Sequence, residues 1–241
     1  MENPGHWTET QHILVILAHP DDPEFFCGAT LARWAQAGHE ISYVLLTCGD
    51  KGRNDDNVDI PDNELCALRH MEQRAAAAVL GVKDVHFMNL PDGYLVPSLD
   101  LRRDIVRIIR QLKPDILVTC DPQNLFTSYG NINHPDHRAA GQVVLDAVFP
   151  AAGNELFFPE LLKEGLTPHC PKEVWVSLTN QPNVTFDITD LLETKLNALK
   201  MHKSQVGTPA KIEERIRSRW AEGSSEENPR YEEKFRVINY R

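Results

Sequence analysis

The chain has 241 residues, 41% of them apolar, which is enough for one substantial core and short for two, so a single domain over residues 1–241 is expected. Twenty-five basic residues against 35 acidic ones give a net charge of -10, which opposes contact with a phosphate backbone and argues against nucleic-acid binding. No apolar run approaches the roughly 20 residues that span a bilayer, and the polar start Met1 to Gln11 lacks the basic and apolar regions of a signal peptide, which points to a soluble, cytoplasmic protein.

The first half alternates strand and helix patterns. His12 to Ala18 is a short continuous apolar run, the signature of a strand buried on both faces. A helix from Glu24 to Ala37 should end at Gly38, and Ile41 to Leu46 reads as the next strand. The polar stretch Gly49 to Asn63, with glycines bracketing Asp50 and Lys51, has the composition of a lid. Asp62 is placed to cap a helix that passes through Ala75 to Ala78 and stops at Gly81, and Val85 to Phe87 makes a third strand. Ser98 caps an amphipathic helix carrying Leu101, Ile105, Ile108, Ile109 and Leu112 on one stripe, with Arg102, Arg103, Arg107 and Arg110 as a solvated face. Pro114 ends it, and Ile116 to Thr119 is a fourth strand. Pro135 suits the first position of a helix running to Val148.

The second half is less regular. Val174 to Leu178 and Val184 to Phe186 read as strands, Thr189 as the cap of a helix reaching His202, Ala210 to Ala221 as a helix and Gly223 to Arg230 as a polar loop. The alternation predicts an α/β fold: a Rossmann-like, mostly parallel sheet with helices on both faces. Cys27, Cys48, Cys66, Cys120 and Cys170 are scattered without a Cys-x-x-Cys pair, so neither a disulfide framework nor a cysteine zinc site is expected.

Two segments concentrate the residue types that bind and use a metal: His19-Pro20-Asp21-Asp22-Pro23-Glu24 and His134-Pro135-Asp136-His137. They follow the first and fourth expected strands, and ligands of open parallel sheets bind beyond the carboxyl ends of the strands. His19, Asp22 and His137 make a set of two histidines and one carboxylate that leaves a coordination position open, while Asp21 stands beside it without ligand duty.

On these two segments the chain resembles the LmbE-like, or PIG-L, family of zinc-dependent N-acetylglucosaminyl deacetylases. Weaker likenesses are Thr47 to Gly52, Arg69 with Glu72, Lys195, and His202-Lys203-Ser204-Gln205. The resemblance implies a hydrolase that removes an acetyl group from an N-acetylated amino sugar or its conjugate. It assigns His19, Asp22 and His137 to Zn2+, Asp21 to general base, and His134 to a protonated partner of the substrate oxygen and leaving amine. Asp136 would hold His134 and favour its charged form. Arg69 resembles the family arginine that grips a polar substrate group. Some relatives carry an arginine where Asn133 stands; here Tyr129, Asn131 and Asn133 are the candidates for sugar hydroxyls. Glu24 suits a helix N-terminus. Relatives of this kind often assemble, so a homo-oligomer is a further expectation.

Other readings use the same residues. Fe2+ accepts the ligand set as readily as Zn2+, so a non-haem iron oxygenase is an alternative, as is an amidase acting on a related sugar-thiol conjugate. A nucleotide-binding module would need a glycine-rich loop after the first strand, where this chain places two aspartates. A structural zinc site would fill all four positions with protein.

Overall fold

The computed structural model describes residues 5–52, 59–127, 130–225 and 227–240. The apolar run forms β1 (His12–Leu17), in which every position after His12 is buried, as a central parallel strand requires. It passes through His19 to Asp21 into α1 (Asp22–Gln36), then β2 (Glu40–Thr47), α2 (Asp62–Leu80), β3 (Asp84–Leu90), α3 (Leu99–Leu112), β4 (Ile116–Cys120) and α4 (Pro135–Asp146). A π-helical turn, Ala147–Ala152, and the short α5 (Pro159–Lys163) lead to β5 (Glu173–Ser177) and β6 (Val184–Asp187). After a 3-10 turn at Thr189–Leu191 come α6 (Leu192–Leu199), α7 (Lys203–Val206), α8 (Pro209–Arg217) and β7 (Glu232–Asn239).

The strands make one seven-stranded sheet in the order β3-β2-β1-β4-β5-β7-β6. The pairings from β3 across to β5 are parallel, and β7 runs antiparallel to both β5 and β6. Helices α1, α2 and α6 pack together against one face, while α3, α4 and the π-helical turn pack together on the other. One core cluster joins the sheet to both helix layers; a second, smaller cluster gathers Ala29, Ile188, Leu192, Leu196 and Ile216 under α8.

Several local expectations hold at the level of single groups. Ser98 Oγ accepts the Leu101 N–H at 3.2 Å at the start of α3, and Gly81 ends α2 with φ 80°. Others are corrected. Asp62 is the first residue of α2 and not its cap, which is Pro61. The expected helix from Thr189 to His202 is broken into a 3-10 turn and α6, with His202 standing at the start of α7. Arg110 is not on a solvated face. It is wholly buried, its guanidinium donating to the carbonyls of Ala151, Ala152, Asn154 and Phe157, which satisfies backbone left free around the π-helical turn. The strand β7 was not anticipated; its alternation of buried Glu233 and Phe235 with exposed neighbours is partly masked by charge.

The cysteines supply a further correction. Cys48, just past β2, and Cys66, in α2, are disulfide-bonded with a Cα–Cα distance of 5.2 Å across a sequence separation of 18. Closing a loop of that length removes unfolded-state entropy worth on the order of 3 kcal/mol. Cys66→Ser, or addition of reductant, should therefore lower the denaturant midpoint of unfolding, and an unchanged midpoint would show that the bridge does not stabilise the fold.

Candidate active site

Strands β1 and β4 lie side by side where the chain order of the sheet reverses, so the segments that leave their carboxyl ends meet. His19 Nδ1 lies 3.3 Å from His137 Nε2 and 3.4 Å from Asp22 Oδ2, and His137 Nε2 lies 3.0 Å from Asp22 Oδ1. These three residues, 118 positions apart at their extremes, aim lone-pair donors at one point. Two imidazole nitrogens and a carboxylate converging at such distances suit the edges of a metal coordination shell better than any arrangement of shared protons.

The other side of each imidazole is also provided for. His19 Nε2 faces Asp92 Oδ1 at 3.1 Å and Asp136 Oδ2 at 3.4 Å, and His137 Nδ1 lies 2.9 Å from Asn133 Oδ1. A carboxylate or carbonyl behind each ligating histidine fixes its tautomer and raises its basicity. The residues therefore fit a divalent metal. Asp92 was not singled out in the sequence. Its signal is positional: it follows β3 at the same edge of the sheet as His19 and His134, between Pro91 and Gly93.

Charge follows from this packing. Burial opposes a charged His19, yet Asp22, Asp136 and Asp92 raise its pKa well above the ordinary value. Burial likewise works against the Asp22 carboxylate, and His137 and His19 nonetheless hold it well below the usual range. The Asp92 carboxyl, opposed by burial but bonded to His19, is lowered to about 2.

Asp21 occupies a left-handed backbone conformation, φ 98°, which a residue with a side chain adopts only when its surroundings hold it there. Its N–H donates to Gln73 Oε1 at 2.8 Å, Gln73 Nε2 donates to Glu24 Oε1 at 2.9 Å, and Glu24 Oε2 lies 3.1 Å from His202 Nε2. Glu24, Gln73 and His202 are completely buried, so Glu24 anchors this chain of contacts and does more than favour a helix N-terminus. Burial pushes the Asp21 carboxyl upward, while Arg69 draws it down from 3.4 Å away.

The structure gathers His19, Asp21, Asp22, Arg69, Asn133, His134 and His137 around one cavity, with Asp136 buried behind it. Tyr129 and residues 53–58 of the expected lid lie outside the described residues. Three side chains are used differently from expectation. Arg69 donates to the carbonyls of Gly49 and Pro20, and a Cβ at Gly49 would lie 2.0 Å from its Nη1, so glycine is required there. Asn133 borders the cavity but turns its amide inward, donating to Asn124 O at 2.8 Å as well as meeting His137. The Asp136 carboxylate accepts the N–H groups of Gly93 and Leu95 and does not reach for His134; instead the Asp136 backbone N–H donates to His134 Nδ1 at 3.2 Å. Burial, then His19 and His137, lower the His134 pKa below its ordinary value, opposite to the expected direction.

The sequence profile of the PIG-L family, described as GlcNAc-PI de-N-acetylase, matches residues 14–148, which spans both histidine-carboxylate segments. The chain belongs to the PIG-L family. It is 35% identical to the diacetylchitobiose deacetylase of Thermococcus kodakarensis over 83% of this chain and 72% of that protein. It is 29% identical to the probable N-acetyl-alpha-D-glucosaminyl L-malate deacetylase 2 of Bacillus anthracis, covering 82% of this chain and 83% of the other. Among solved structures, the N,N'-diacetylchitobiose deacetylase of Pyrococcus horikoshii superposes with a TM-score of 0.85 at 32% identity, covering 96% of this chain and 85% of that one. Among the described residues of this PIG-L member, no helix is long and apolar enough to cross a membrane.

Asp22→Ala and His137→Ala should each stay folded and lose bound metal, checked by metal analysis beside circular dichroism; full occupancy in either would overturn the ligand set. Because the metal-free site holds a proton on His19, loading at neutral pH should release protons, and affinity should fall as the pH is lowered. Calorimetry in buffers of different ionisation enthalpy measures both.

Proposed function

We propose that this PIG-L member is a metal-dependent hydrolase that removes the acetyl group from an N-acetylated amino sugar or its conjugate. One observation carries the reading: the His19, Asp22 and His137 donors converge on a cavity that Asp21 and His134 also border, so a metal held there keeps room for water and substrate. The names of its relatives, deacetylases of diacetylchitobiose and of N-acetyl-glucosaminyl malate, support the substrate class.

An amide resists hydrolysis because its carbonyl is weakly electrophilic and its amine leaves poorly. Zn2+, or Fe2+ in its place, supplies Lewis-acid polarisation and a more acidic water when bound. Asp21, half-buried beside Arg69, takes the proton of the attacking water as general base. His134 accepts the Asp136 N–H on Nδ1, which places its own proton on Nε2, and that N–H donates to the carbonyl oxygen as negative charge develops there. Asp21 then passes its proton to the nitrogen, the carbon–nitrogen bond breaks, and acetate and the free amine result. The upward push of burial on the Asp21 carboxyl suits a group that must hold a proton between these steps.

Metal-loaded protein should release acetate and a primary amine in equal amounts from N-acetylglucosamine derivatives, lose the activity to a chelator and regain it with Zn2+. No amine from any member of such a panel would refute the proposal. Asp21→Asn should retain metal and lose turnover by on the order of 10²–10⁴-fold.

The lowered pKa of His134 sets the pH dependence. Above about 6.5, the unperturbed value, the neutral Nε2–H form prevails. The rate should hold a plateau through neutrality with no alkaline fall from this group, and His134→Gln, which keeps a donor, should turn over faster than His134→Ala. A wild-type alkaline limb that disappears in His134→Ala would show that the charged form is the working one.

A further inference from the structure

The cavity that holds the metal-type cluster has a volume of about 1000 Å³. At ordinary packing density a single N-acetylhexosamine fills on the order of 200 Å³. The surplus runs along the side of α1 toward the end of α8 and the start of β7, where Phe25, Arg215, Arg219, Trp220, Glu222 and Tyr231 border it.

One turn of α1 separates Asp22 from Phe25, whose ring centre lies 5.1 Å from the Arg215 guanidinium. Past the end of α8 at Arg217, the Arg219 N–H donates to Ile216 O at 3.0 Å, and Trp220 follows it. Trp220 thus borders the same cavity as the cluster, from the segment that follows α8. Trp34 and Trp175 are buried and meet edge to face, whereas Trp220 is 42% exposed. It lines the cavity with an indole, an apolar ring carrying one N–H.

The charges around it are of both signs. Arg215, Arg219 and Lys234 stand among Glu222 and Glu232, with Glu232 3.2 Å from Lys234, while Glu233 is committed to Lys195 and to the N–H groups of Ala29 and Thr30. A phosphate or carboxylate would be drawn to unopposed cations, and an acyl chain to an apolar wall. A pyranose has an apolar C–H face and a rim of hydroxyls that both donate and accept. That combination fits an aromatic platform flanked by side chains of both signs.

We infer that this arm of the cavity is a subsite for the sugar ring linked to the acetamido sugar, with Trp220 as its stacking platform. The inference rests on the deacetylase reading for the placement of the first ring, and it makes Trp220 a specificity-determining residue with no part in bond cleavage. A substrate of two or more rings then gains binding that a monosaccharide lacks.

The test compares metal-loaded wild type, Trp220→Phe and Trp220→Ala on N-acetylglucosamine, N,N'-diacetylchitobiose and N-acetylglucosamine 1-phosphate. Wild type should favour the disaccharide. In Trp220→Ala the ratio of kcat/KM on the disaccharide to that on the monosaccharide should fall on the order of tenfold, mainly through KM, with Trp220→Phe recovering most of it. An unaltered ratio, or a wild-type preference for the phosphate over the disaccharide, would overturn the subsite. If none of the three releases amine, titration calorimetry with the disaccharide decides separately: binding weakened in Trp220→Ala upholds the subsite while the deacetylase reading falls, and binding that is absent or unaffected overturns it.

Discussion

The adjacency of β1 and β4 is the constraint on which the site depends. Each strand alone would deliver a histidine-carboxylate loop to solvent. Side by side at the point where the sheet order reverses, they deliver two loops to one point, and the lone pairs of His19, Asp22 and His137 are forced within 3.0 to 3.4 Å of one another. Without a metal, such crowding is relieved by a proton on His19, held by three carboxylates. The same groups that hold the proton become the outer support of a metal ligand when it leaves.

A second layer of buried polar groups keeps that point in register. The contacts from Asp21 through Gln73 and Glu24 to His202 tie the loop after β1 to α2 and to the start of α7. Beside it, Glu72 in α2 accepts both the N–H and the hydroxyl of Ser204, and Arg69 crosses from α2 to the carbonyls of Gly49 and Pro20. Networks of this kind are costly to bury and favour a single arrangement of the groups they join. Here they hold Asp21 at a backbone angle it would not otherwise keep, and so connect the C-terminal third of the chain to chemistry carried by the first two thirds.

Much of this was legible in the sequence because the signals were local. An apolar run of strand length, Ser98 before an amphipathic stretch, and Gly81 after a helix report on their own neighbourhoods, and two specific motifs mark the donors. What escaped notice depends on partners distant in sequence. Arg110 shares a solvated pattern with Arg103 and Arg107 until the π-helical turn offers it carbonyls. Asp136 looks like a partner for the histidine two residues before it, yet its carboxylate is claimed by Gly93 and Leu95. Gln73 and the Cys48–Cys66 bridge carry no local mark, and Asp92 only its position after β3; each acquires its role when the sheet brings separate loops together.

X-ray absorption at the zinc edge of the metal-loaded protein tests most directly the claim that His19, Asp22 and His137 form an open metal centre. With the Cys48–Cys66 bridge reduced, its two thiols and His70 would form a rival cluster elsewhere in the fold. The first shell should contain only nitrogen and oxygen scatterers at about 2.0–2.2 Å, with imidazole outer-shell features. A sulfur scatterer near 2.3 Å would place the metal at the cysteines and contradict the account.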